Sequence, residues 1–97
     1  MKKELKKFGT LLLSRPNGRE AFLAFQSQLI TMDKNENLEL DFEGVTTFTP
    51  SWGDEFLSPL ASKYGPRLIL LNTSNPSVKT TLEFLEKINQ MRFNKSS

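Results

Sequence analysis

The segment L-E-L-D-F-E-G-V-T-T-F-T-P-S-W-G-D-E-F-L, Leu38 to Leu57, decides the fold. Leu38, Leu40 and Phe42 alternate with Glu39 and Asp41, the two-residue period of a strand with one apolar face. Gly44 permits a positive φ, and Val45 returns the chain to the core. The hydroxyls and proline of Thr49-Pro50-Ser51 then favour helix initiation. Ser51 and Asp54 have capping-box spacing, and Phe56, Leu57, Leu60 and Ala61 supply the apolar stripe of a helix. Pro59 interrupts this helix, predicting a kink or a reset near Ser58, and the element should end at Gly65-Pro66.

The same reading extends outward. Glu4 to Leu13 fits one strand, or two short ones broken at Gly9. Ala21, Phe22, Phe25 and Leu29 recur at helical spacing, with Ser14 or Asn17 as the cap. Met32 to Asn37 is polar and turn-rich. Arg67 to Asn72 is an almost continuous apolar run, as expected of a central strand covered on both faces. Leu40, Phe42, Ile69 and Leu71 are therefore expected to be buried. Asn75-Pro76 opens a last helix with the stripe Val78, Leu82, Leu85 and Ile88. Alternation of strand and helix predicts an α/β domain with a mixed or mostly parallel sheet and helices packed against it. A single domain is expected over residues 1–97, with a core from about 8 to 90, a frayed basic N-terminus and a frayed tail Asn94 to Ser97.

The 97-residue chain contains no cysteine and no histidine. It therefore lacks thiol chemistry, the usual zinc ligands and the imidazole base of a Ser-His-Asp nucleophile. A chain this short also leaves little room for an enclosed catalytic cavity. Asp41, Glu43, Asp54 and Glu55 are the one carboxylate group worth weighing as a catalytic site, and nothing else completes a nucleophile or oxyanion arrangement. The reading is non-enzymatic, with no cofactor and no metal. No apolar run approaches a membrane span, and Lys6 and Lys7 interrupt any signal-peptide core, which places the mature chain in the cytoplasm. The formal net charge is only +2, its excess coming largely from Lys2, Lys3, Lys6 and Lys7. That is too weak a footprint to predict nucleic-acid binding.

The L-D-F-x-G-V strand, the Thr/Pro/Ser helix start, W-G-D-E-F-L, and the second apolar strand before N-P-S-V together resemble the STAS-like domains. These are small bacterial relatives of the anti-sigma factor antagonists. The resemblance covers Phe8 to Ile88. It implies a non-catalytic regulatory module whose partner is an ATP-binding protein of the anti-sigma-kinase type. In such antagonists the turn reads D-S-S-G and its first serine is phosphorylated. Here those four positions fall on Thr49, Pro50, Ser51 and Trp52, so a proline occupies the acceptor position and an implied phosphorylation switch loses its residue. Ser51 is left as the candidate acceptor.

The expected partner surface is the Phe48 to Asp54 edge, with Phe48, Thr49, Ser51, Trp52, Asp54 and Glu55 as its residues. Trp52 either fills the core or faces outward as a hot-spot anchor, and Phe48 carries the same ambiguity. Arg15 and Arg19 flank the start of the first helix, where they could meet a phosphate or an acidic partner, or serve only surface solubility or a salt bridge to Asp41 or Glu43. With Lys2 to Lys7 they make the alternative reading, a small nucleic-acid- or phosphate-binding domain. An exposed strand edge leaves a homodimer open.

Overall fold

The computed structural model describes residues 1–96; Ser97, the end of the expected frayed tail, lies outside them. The elements are β1 (Lys2–Glu4), a 3-10 turn at Leu5–Phe8, β2 (Leu11–Leu12), α1 (Arg15–Leu29), β3 (Leu38–Asp41), β4 (Thr47–Phe48), α2 (Pro50–Tyr64), a 3-10 turn at Gly65–Arg67, β5 (Leu68–Leu71), α3 (Pro76–Asn89) and β6 (Asn94–Ser96). β1, β3, β5 and β6 form a four-stranded sheet in that order, and β2 pairs with β4 separately. Every pairing is parallel. The expected α/β class is the one observed.

Strand order follows chain order without reversal, so each crossover steps the same way and the helices share one face of the sheet. Leu38 and Leu40 are in register with Leu68 and Leu70, and all four are buried against that layer. Ile69 and Leu71 point the other way and are only half-buried, so the expectation of a strand covered on both faces is corrected. An unbroken apolar run reads the same whether one sheet face or two are covered.

Each helix opens on the same device. The Ser14 hydroxyl accepts from the Asn17 N–H, the Thr49 hydroxyl from the Trp52 N–H, and the Asn75 carboxamide oxygen from the N–H groups of Ser77 and Val78. A proline lies in the first turn every time. Thr49 is thus the cap of α2, and Ser51 is already inside the helix, which corrects the expected Ser51–Asp54 box. Pro59 lies within α2 without a reset.

Several smaller expectations are also corrected. The N-terminus is paired with β3 and Leu5 is fully buried, while Asn94 to Ser96 pair with β5 and Phe93 is buried. The core therefore reaches beyond both ends of the 8–90 span. Ile88 is 50% exposed, so the stripe of α3 ends at Leu85.

The core is centred on rings. Trp52 stacks on Phe56 at 4.8 Å between centroids, Phe56 stacks on Phe25 at 5.7 Å, and Phe48 meets Trp52 edge-on at 5.9 Å. Such pairs add about 0.5–1.5 kcal/mol each beyond the area they bury.

Candidate functional site

The start of α2 is fixed by contacts from three directions. Thr49 donates its N–H to the Leu12 carbonyl at 3.0 Å and its hydroxyl to the Leu13 carbonyl at 2.6 Å, tying α2 to β2. The Phe48 N–H donates to the Ser77 hydroxyl, and the Thr81 hydroxyl donates to the Phe48 carbonyl at 2.6 Å, tying β4 to α3. Asn75 donates its side-chain N–H to the carbonyls of Val45 and Thr46. The edge is consequently a rigid platform.

Two of the six expected contact residues are turned inward. Phe48 is 1% exposed and Trp52 is 2% exposed, so neither ring is an anchor presented to a partner. With the Phe48 ring buried, Thr47 and Thr49 are both half-buried, and the Thr49 hydroxyl is held by the Leu13 carbonyl and the Trp52 N–H. Trp52 is at the third position of the helix, on the side that faces α1 and the core.

Asp54 and Glu55 are joined to Arg15, whose Nη1 donates to Asp54 Oδ2 at 3.0 Å and to Glu55 Oε2 at 2.9 Å. Arg15 therefore pairs with these acids and not with Asp41 or Glu43. Asp54 Oδ1 also accepts from the Ser58 hydroxyl at 2.8 Å. Ser58 first and Arg15 second hold the Asp54 carboxyl below its usual range, while those two acids raise the Arg15 pKa. No ion pair or hydrogen bond through the Arg19 side chain occurs among the described residues.

The outward surface holds residues that the sequence reading had not singled out. Leu11 is 60% exposed and Leu13 is 47% exposed, on either side of the buried Leu12. They lie next to exposed Pro50 and Ser51 through the β2–β4 pairing and the Thr49–Leu13 bond. The signal was present as the run Leu11-Leu12-Leu13. In a strand, however, the same three residues fit a core-facing Leu12 or a core-facing Leu11 and Leu13, and only the register with β4 decides.

Asp41, at the carboxyl end of β3, is 3% exposed. Its Oδ1 accepts from the Asn72 amide at 2.7 Å and the Glu43 N–H at 2.9 Å, and Lys2 Nζ lies 3.7 Å from Oδ2. Burial, the largest influence, pushes the carboxyl up, but Asn72, Glu43 and Lys2 together outweigh it and keep the pKa lowered. A group with a lowered folded pKa stabilises the fold fully above its unfolded value, about 3.9 for Asp, and loses that contribution as pH falls through the folded value. Stability should therefore fall on acidification below about pH 4. In Asp41→Asn, chemical denaturation at a series of pH values should show a shallower acid limb and lower stability at neutral pH.

Among the described residues no three carboxylates converge as a metal site, and no helix is long and apolar enough to cross a membrane. The family described as a STAS-like domain of unknown function (DUF4325) matches residues 25–78, more than half of the chain. The chain belongs to this family. No curated protein and no solved structure matches it. The match to the STAS-like family runs from Phe25 in α1 to Val78 in α3, so it includes β3, β4, α2 and β5 but leaves out β2, Leu13, Arg15 and Thr81.

Exchanging the hydroxyls of this platform separates cap from contact. Thr49→Ala removes the cap of α2 and its tie to Leu13, for an expected loss of about 1–2 kcal/mol. Ser51→Ala should leave stability within about 0.5 kcal/mol, as for an exposed surface position. Urea denaturation of the two variants side by side checks this.

Proposed function

We propose that this STAS-like domain is a non-catalytic regulatory module of a bacterial cytoplasm, and that it binds an ATP-binding protein of the anti-sigma-kinase type. The surface is the start of α2, with Leu11 and Leu13 as its apolar contacts and Pro50, Ser51 and Thr49 beside them. The observation that carries this reading is the exposed Leu11/Leu13 pair set against a platform whose other members are held internally. Apolar side chains beside a rigid polar edge are what a protein interface needs at its centre. The resemblance to anti-sigma factor antagonists suggests the class of partner.

Ser51 contributes contact in this reading. A phosphate there would add about −1.5 to −2 charges near the N–H groups of a helix start. Asp54 and Glu55 follow within one turn, but Arg15 already neutralises them in part. The basic residues give the nucleic-acid alternative less support. Lys2 pairs with Asp41 and Lys6 with Glu4, Lys3 lies 5.2 Å from the Phe8 ring centroid, and Arg15 is held by two acids.

The test is affinity capture from an extract of the source bacterium with and without added ATP. Retention of an ATP-binding regulator by the wild-type domain and by Ser51→Ala is expected, with Ser51→Glu weakening it. Recovery of nucleic acid, or of no ATP-binding protein, would overturn the reading. ATPase, phosphatase and nuclease assays of the purified domain are expected to show no turnover; an activity abolished by Asp41→Asn would contradict the non-catalytic claim.

A further inference from the structure

A cavity lies at the far end of α2 from the partner edge, between the last turns of α2 and the connection from α3 to β6. It has a volume of about 640 Å³ and is walled by Ala61, Pro66, Leu68, Met91 and Phe93. Small-molecule sites typically fall between about 300 and 1,000 Å³, with apolar walls and few polar groups. The lining contains no aspartate and no glutamate, and its cation is Arg92.

Most side-chain amides of this wall are engaged within the fold. Asn89 Nδ2 donates to the Ser58 hydroxyl and the Leu85 carbonyl, and Asn94 Nδ2 donates to the Pro66 carbonyl. The carboxylate that acts electrostatically with Arg92 is Glu86, and it is taken by Lys95 Nζ and the Phe93 N–H, each at 2.9 Å. The Arg92 guanidinium makes no ion pair within 4.0 Å and no hydrogen bond among the described residues. The apolar cleft thus has at its rim an exposed guanidinium with no direct ion pair, near Glu86, and a guanidinium receives a carboxylate through paired N–H groups.

We propose that this cleft binds a small amphipathic carboxylate, its apolar body against Leu68, Met91 and Phe93 and its anionic head on Arg92. The site is separate from the partner edge, and neither reading depends on the other.

Titration of the ¹⁵N-labelled domain with 4-phenylbutyrate, followed by backbone amide shifts, tests it. Saturable shifts are expected at Gly65, Leu68, Asn89 and Phe93. Binding should be at least about tenfold weaker for the uncharged 4-phenylbutanamide and in Arg92→Gln, the factor carried by about 1.4 kcal/mol from one charge-assisted hydrogen bond. Arg92 is exposed, so the variant should keep the wild-type spectrum outside the cleft. A second variant, Ser62→Phe, narrows the mouth from an exposed position and should also weaken binding. Equal binding of acid and amide, binding unchanged in Arg92→Gln, inorganic phosphate binding as tightly as 4-phenylbutyrate, or no saturable shift in the cleft would each overturn the proposal.

Discussion

Trp52→Ala is expected to lower the stability of the domain by about 3–5 kcal/mol, the range for truncating a large aromatic in a packed core. The ring is stacked on Phe56 and meets Phe48 and Phe8, with 2% of the residue exposed. Its removal leaves a cavity that these three rings cannot close without leaving their own contacts. For a domain of this size the melting temperature should fall by about 12 °C or more. Any loss of partner binding in this variant should track the unfolded fraction and disappear on cooling. A melt within a few degrees of wild type would show that the ring is not a core element.

The second large effect is expected at Gly18. A Cβ added there would lie 2.5 Å from the Trp52 carbonyl oxygen and 2.9 Å from Trp52 Cα. Both are backbone atoms of α2, so no side chain can rotate away, and α1 must separate from α2 to admit the methyl group. Overpacking of this kind costs about 1–3 kcal/mol, and more where the neighbour cannot yield. Gly18→Ala should therefore destabilise the domain although alanine is the better helix former by about 1 kcal/mol. Denaturant unfolding distinguishes the signs: a gain in stability would mean that the two helices do not cross this closely.

These two positions show how far a single sequence could be read. The alternation in β3, the three polar-residue-plus-proline helix starts and the apolar stripes are local signals, and they located α1, α2, β3, β5 and α3. Which face of α2 carried Trp52 was not local. The third position of a helix can point to either side of the neighbouring strand, and α1 decides it by approaching close enough to need a glycine at Gly18. Ile69 and Leu71 face away from the helices, and an apolar run carries no record of how many helices cover it. β4 and β6 exist through their partners β2 and β5, and runs of two or three residues have no period to detect. Leu11 and Leu13 were visible as apolar residues, but their outward direction depends on pairing with Thr47 and Phe48.

The most direct test of the proposed function is the affinity of the captured regulator for wild-type domain and for the double variant Leu11→Asp, Leu13→Asp. Both side chains are largely outside the core, so the thermal melts should agree closely. Binding should weaken by at least about thirtyfold, the loss of about 2 kcal/mol that marks a hot spot, and added salt should change the wild-type affinity little because apolar contacts dominate. Unaltered affinity in the double variant with a wild-type melt, or wild-type binding that collapses steeply with salt, would contradict an interface centred on Leu11 and Leu13.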